Sequence, residues 1–220
     1  MQNKRPEMTH REAVKSQIMQ MAKEVELVIV AALRVWRECD HEQAQHQVEK
    51  DLAINVMQAD IEEACVIAIA RFQPVAVDLR DLISDIHIAE ELERIADLAA
   101  DICKTVADKQ FQALPSFTKE IDLLGQQCSE QLANIIQAYA DSDEPEARKI
   151  AALDKTLDRS EKNIIRDIMA YAGEHPDAFV ICTHALWITH GLERIGDRIT
   201  NIAERIVYVN TAKVEKLNHQ

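Results

Sequence analysis

The chain has 220 residues, 25 of them basic and 38 acidic, for a net charge of −13, with 4 glycines, 5 prolines and 4% aromatic residues. So little Gly and so few aromatics exclude a fold of many tight hairpins, and the wealth of Ala, Glu, Leu, Ile, Lys and Arg points to an all-α chain. The acidic balance argues against a nucleic-acid backbone, which needs a basic surface, and it favours cations.

Helix breaks fall where Pro, Gly or a polar cluster interrupts a 3.6-residue apolar rhythm: ECDHEQ at 38–43, RFQP at 71–74, QALPSF at 112–117, DSDEP at 141–145 and AGEHP at 172–176. The spacing predicts six long helices, over about 9–38, 42–71, 75–110, 117–140, 145–172 and 177–210. Pro74, Pro145 and Pro176 stand near helix starts, where a missing N–H costs nothing. The five cysteines, Cys39, Cys65, Cys103, Cys128 and Cys182, form no C-x-x-C and read as buried thiols of a reducing compartment. The opening MQNKRPEMTHREAV has no apolar h-region, and the longest apolar runs, such as LVIVAAL at 27–33, are far shorter than a membrane span. The expectation is a cytoplasmic protein, free to dock on a membrane complex.

One phrase occurs twice. LERIADLAADI at 92–102 returns as LERIGDRITNI at 192–202, with six of the eleven positions identical. Upstream, DLAIN at 51–55 matches DKTLD at 154–158 in spacing and character, and Pro74 is matched by Pro176. The chain therefore reads as a tandem repeat of a three-helix unit, 1–112 and 113–220, folded as two pseudo-symmetric antiparallel three-helix bundles side by side.

On a wheel of about 100° per residue, Leu192, Ile195, Ile199, Ile202 and Ile206 share one arc. Glu193, Asp197, Asn201 and Glu204 share another, joined by His190, with Arg194, Arg198 and Arg205 beside it. The earlier copy repeats the design, with Leu92, Ile95, Ala99 and Ile102 against Glu90, Glu93, Asp97 and Asp101. The phrase thus encodes a core seam and an outward line of hard ligands. Like charges at i,i+4 cost about 0.2–0.5 kcal/mol a pair, so a merely solvated face has little reason to repeat them. Oxygen ligands with one His suit Mg²⁺, Mn²⁺, Fe or Zn. Asp51 with Asn55 and Asp154 with Asp158, again i,i+4, lie where a neighbouring helix can complete each site.

These residues carry a resemblance. QPVAVDLR at 73–80, ELERIADLAADIC at 91–103, LERIGDRITNIAE at 192–204, DLAIN and DKTLD together resemble the PhoU family of phosphate-signalling regulators, over nearly the whole chain. The resemblance implies two three-helix bundles, often dimeric, with metal ions held by E/D-x-x-x-D motifs. It also implies a non-enzymatic negative regulator that couples a phosphate ABC-transporter ATPase to a membrane sensor histidine kinase. The motif falls on Glu93 and Asp97 and on Glu193 and Asp197, with Asp101 and Asn201 one turn on. The companion pairs are Asp51/Asn55 and Asp154/Asp158. Asn55 and Asn201 stand where carboxylates are possible, and Ala96 replaces a Gly, so the two sites are expected to differ, the second being at least as strong.

Two other readings stay open. A carboxylate-bridged di-metal bundle enzyme needs inward Glu-x-x-His pairs; Glu7-x-x-His10 and Glu38-x-x-His41 fit the string but lie at helix ends. A metal-free helical scaffold needs only the acidic face. His184 falls on the core arc, Gly196 beside it suggests close helix approach, and Arg80 suits a partner or an interbundle contact.

Overall fold

Helices form where the apolar rhythm places them, and one of the six divides. The structure is a computed structural model and describes residues 6–49, 52–112 and 114–217. In chain order the helices are α1 Pro6–Glu38, α2 His41–Glu49, α3 Leu52–Phe72, α4 Val77–Ala107, α5 Pro115–Asp141, α6 Glu144–Ala152, α7 Asp154–Glu174 and α8 Phe179–Thr211, with a 3-10 turn at Pro176–Ala178. There is no strand among the described residues. The helix expected over 42–71 is helical on either side of residues 50–51, as α2 and α3; the helix expected over 145–172 breaks at Leu153 into α6 and α7. There the chain tightens to i→i+3 bonds, Leu153 N to Ile150 O at 3.0 Å and Thr156 N to Leu153 O at 2.8 Å. Leu153 keeps right-handed helical angles, so no Pro or Gly marks the break; it also places Asp154 in the first turn of α7, at the positive end of the helix dipole.

Local caps follow the residue chemistry. Asp143 accepts a bond from Glu146 N at 3.0 Å and starts α6, while Pro115 occupies the first turn of α5, where no N–H is missed. The QPVA turn between α3 and α4 is strained: Gln73 and Ala76 hold φ of 49° and 52°, a region that L side chains rarely adopt.

The first repeat is α1, α2 with α3, and α4; the second is α5, α6 with α7, and α8. Their packing registers match. Ile54, Ile61 and Cys65 are buried on α3, and Leu157, Ile164 and Ile168, 103 residues on, are buried on α7. Helix α4 runs antiparallel to α8: Arg80 Nε donates to Val209 O at 3.2 Å, and Arg198 Nη1 lies 3.5 Å from Glu91 Oε2. Helix α1 meets α5 where Gly125 leaves room, since a Cβ there would sit 2.3 Å from Leu33 Cδ2. The repeats therefore enclose one continuous core, from Ile18 and Trp36 through Leu92 and Ile95 to Leu192 and Ile199. Burying each such side chain contributes about 1.5–3 kcal/mol.

A polar corner of the core lies where α1, α4 and α5 meet. Tyr139 Oη donates to the buried Asp85 Oδ1 at 2.7 Å, Arg11 pairs with Asp81, and Lys15 Nζ donates to Ala140 O. Burial lifts the Asp85 carboxyl to about 7, against the opposing pull of the Tyr139 bond. Four of the five cysteines expected to be buried are so, Cys65, Cys103, Cys128 and Cys182, while Cys39, at the C-terminal end of α1, is only half-buried; burial pushes the Cys65, Cys103 and Cys128 thiols up to about 12. No described helix is long and apolar enough to cross a membrane.

Candidate metal centre

Helix α8 sets Glu193 and Asp197 one turn apart, with His190 three residues before Glu193. Helix α7 approaches alongside because residue 196 is Gly: a Cβ would lie 2.6 Å from Leu157 Cδ1 and 3.8 Å from Asp154 Oδ1. On α7, Asp154, Asp158 and Glu161 follow at i, i+4 and i+7, so all three line the edge facing α8. His190 Nδ1 stands 3.4 Å from Glu161 Oε1 and 3.5 Å from Glu193 Oε2. One ligand atom from each of Glu161, His190 and Glu193 falls within 4.8 Å of the other two.

Crowding shows in the proton affinities. Burial, then Asp197 and Glu161, lift the Glu193 carboxyl to about 7, partly offset by His190. Burial, then Asp197 and Asp158, lift Asp154 to about 6, while a hydrogen bond from Thr200 pulls it down. Asp197 is raised by burial and by Asp158, against the pull of Arg198, Arg194 and His190. Five carboxylates and one imidazole thus share a seam in which their own repulsion favours protons. A bound cation would offset that repulsion, and a mixed oxygen and imidazole donor set suits Mn, Fe or Zn, with Mg using the oxygens. The residues fit a metal.

The depth of this site corrects the wheel. Its ligand stripe turns away from the core arc of α8, as expected, yet it does not lie on the open surface: Asp154 is 6% exposed and Glu161 8%. A wheel resolves direction around one helix and cannot see the neighbour that covers it. Glu161 was not among the residues expected at this site; its signal was the i+7 step from Asp154.

The other expected residues are placed differently. Asn201 donates its amide to Glu91 Oε2 at 3.2 Å, across to α4. Glu204, expected on the acidic stripe, is buried and accepts from Leu217 N at 2.9 Å and Lys216 Nζ at 3.0 Å, which fastens the segment after α8. In the first repeat Glu93 is half-buried while Asp97 and Asp101 are exposed, and Lys104 Nζ donates to Asp101 at 2.7 Å. Asn55 is exposed, and Asp51 lies outside the described residues. Of the histidines in the two Glu-x-x-His strings, His10 packs edge-on against Phe72 and His41 Nδ1 lies 2.7 Å from Val106 O; neither joins a carboxylate cluster among the described residues. His184 is in the core against Phe111, and Arg80 makes the contact between repeats described above.

The repeat is also visible to comparison. The PhoU domain model matches residues 18–106 and again 121–206. The phosphate-specific transport system accessory protein PhoU of Edwardsiella tarda is 36% identical over 197 residues, 90% of this chain and 81% of that protein. The crystal structure of PhoU from Pseudomonas aeruginosa superposes with a TM-score of 0.87 at 32% identity, over 93% of this chain and 99% of the other. The phosphate transport system regulatory protein PhoU from Streptococcus pneumoniae does so with a TM-score of 0.86 at 27% identity, over 95% and 99%. Such relatives are named as accessory or regulatory proteins of phosphate transport rather than as enzymes. With two matched repeats, relatives above 30% identity along most of the chain and the same helical fold, the chain belongs to the PhoU family.

Proposed function

We propose that this protein is a cytoplasmic, non-enzymatic regulator that holds phosphate uptake down when phosphate is plentiful. It acts as a homodimer between the ATPase of a phosphate ABC transporter and a membrane sensor histidine kinase. The relatives' names support the phosphate-uptake role; the transporter ATPase, the kinase and the dimer are what the family resemblance implies.

Metal is part of this reading. The observation that carries it is the carboxylate and imidazole cluster in the α7–α8 seam, where Glu161, His190 and Glu193 converge on one point. Asp154, Asp158, Glu161, His190, Glu193 and Asp197 would hold the ion. The ion would supply positive charge that ties α7 to α8; these side chains would bind and orient it and release their protons to solvent as it binds. Glu93, Asp97 and Asp101, with Asn55 and Asp51, are the weaker counterpart in the first repeat.

The test is elemental analysis of the purified full chain after exposure to Mn²⁺, Fe²⁺ or Zn²⁺ and desalting, beside Glu193→Ala/Asp197→Ala. Metal retained by the parent and lost from the double variant supports the site; equal content in both sinks it. Co-purification with the transporter ATPase from phosphate-replete cells tests the regulatory half separately. A parent that binds neither metal nor ATPase would leave the scaffold reading in its place.

A further inference from the structure

Helix α3 is apolar on two opposite faces. Ile54, Ile61, Cys65 and Ala68 enter the core. On the other side Leu52, Val56, Val66 and Ile67 are 75%, 59%, 53% and 45% exposed, with exposed Ala59 and Ala70 between them. On a wheel these six fall within an arc of about 100°, a stripe about 27 Å long, broken at its middle by exposed Glu63. Asp60 and Glu62, both exposed, flank that middle on either side.

The second repeat supplies an internal control. In the same packing register, 103 residues on, α7 carries Lys155, Arg159, Lys162 and Arg166 where α3 has Leu52, Val56, Ala59 and Glu63, and all four are exposed. Over these four positions the same helix folds with a charged outer face, while further along α7 keeps Met169, 58% exposed, in the place of Val66 and exposed Ala170 in the place of Ile67. Nothing in the packing of α3 calls for Leu52 and Val56 to be apolar, and a contiguous exposed apolar stripe marks a binding surface.

Charge chooses the occupant. A second copy laid α3 against α3, parallel or antiparallel, would bring Asp60, Glu62 and Glu63 against their own counterparts, because they sit at the centre of the stripe; opposed like charges are unfavourable. An anionic lipid surface meets the same carboxylates. A helix with apolar residues along one face and a cation at its middle satisfies both features, its Lys or Arg pairing with Glu63 inside an apolar surround.

We propose that the outward face of α3 is a docking surface for an amphipathic helix of another protein, one whose apolar face carries Lys or Arg at its centre opposite Glu63. The surface is independent of the metal seam between α7 and α8, so the two readings fail separately.

The probe is a fluorescent synthetic peptide of about 20 residues, long enough to hold a helix, with Leu at i, i+4, i+7, i+11 spacing and one central Lys. Its twin carries Glu at the centre. Anisotropy titrations use the full-length chain at physiological salt. The Lys peptide binds saturably and about tenfold tighter than the Glu peptide. Val56→Arg, which copies Arg159 of α7, weakens it about tenfold, and Glu63→Arg reverses the preference between the two peptides. Unchanged circular dichroism and melting of both variants guards against loss of fold. Equal binding of the two peptides, no saturable binding, or indifference to Val56→Arg overturns the proposal. So does self-association in sedimentation that Val56→Arg abolishes, which assigns the face to a second copy. Binding of the parent to phosphatidylcholine vesicles that Val56→Arg removes likewise overturns it in favour of a lipid surface.

Discussion

Helix α7 presents Asp158 and Glu161 to the seam with α8, whereas α3 carries Asn55 and Gln58 at the matching positions; on α4, Glu90 stands where α8 has His190. In the first repeat the Gln58 amide is put to local use, its Nε2 donating to Glu62 at 3.1 Å, and Glu90 pairs with His87 at 3.1 Å. The second repeat keeps carboxylates at these positions although burial and mutual repulsion lift Glu193 and Asp154 well above the usual range. Two helix pairs with one packing register thus fold with and without the full carboxylate set. The acidic seam of the second repeat is not what the bundle requires; it is an addition that opposes the fold until a cation or protons neutralise it.

The largest expected effect breaks that comparison directly. Glu161→Gln, which gives the second repeat the amide of the first, lowers metal retention at the seam by about tenfold or more. The paired substitution Asn55→Asp/Gln58→Glu raises total metal content, read by elemental analysis against the parent. If both leave the content unchanged, the difference between the repeats is not a difference in metal affinity.

Glycine separates the repeats next. Gly196→Ala, the residue that the first repeat has at position 96, drives a methyl into Leu157 Cδ1, while Asp154 Oδ1 at 3.8 Å meets it only in ordinary contact. Overpacking outweighs the gain in helix propensity, and the chain loses about 1–2 kcal/mol in denaturant unfolding. Gly191→Ala meets only ordinary contact, with Ile102 at 3.7 Å, and stabilises by up to about 1 kcal/mol. Equal effects at the two sites would refute close approach as the reason for Gly196.

The buried carboxyl of the polar corner belongs to the first repeat: Asp85 has Ala185 at the matching place on α8. Because burial raises the folded carboxyl of Asp85 to about 7, its protonated form stabilises the fold at low pH. That contribution is lost as pH climbs from about 4, the unfolded value, to about 7. Asp85→Asn removes this titration, so the fall in melting temperature between pH 4 and pH 8 shrinks by about 2–4 °C or more. An identical pH profile in the variant would show that the carboxyl is not the titrating group.

The smallest effect concerns the turns. The second repeat enters α8 through a 3-10 turn at Pro176–Ala178, while the first enters α4 through Ala76 at φ 52°, ψ −115°. Ala76→Gly relieves the first turn and stabilises by about 1 kcal/mol in the same unfolding assay, less what the freer unfolded chain recovers.

The helical class, the six long segments and the tandem repeat were legible because apolar periodicity and a duplicated phrase are local records of a helix's own geometry. Glu193, Asp197, Asp154 and Asp158 were legible as i,i+4 pairs for the same reason. The break at Leu153 was not, since a tightened turn that keeps right-handed angles needs neither Pro nor Gly. Tertiary structure alone decided that Glu161 joins His190 and Glu193, that Asn201 turns across to Glu91, and that Glu204 fastens the segment after α8. A sequence determines which side of a helix a residue occupies; how deep that side lies, and which neighbour meets it, depends on how closely another helix can approach. Here Gly196 and Leu157 set that distance.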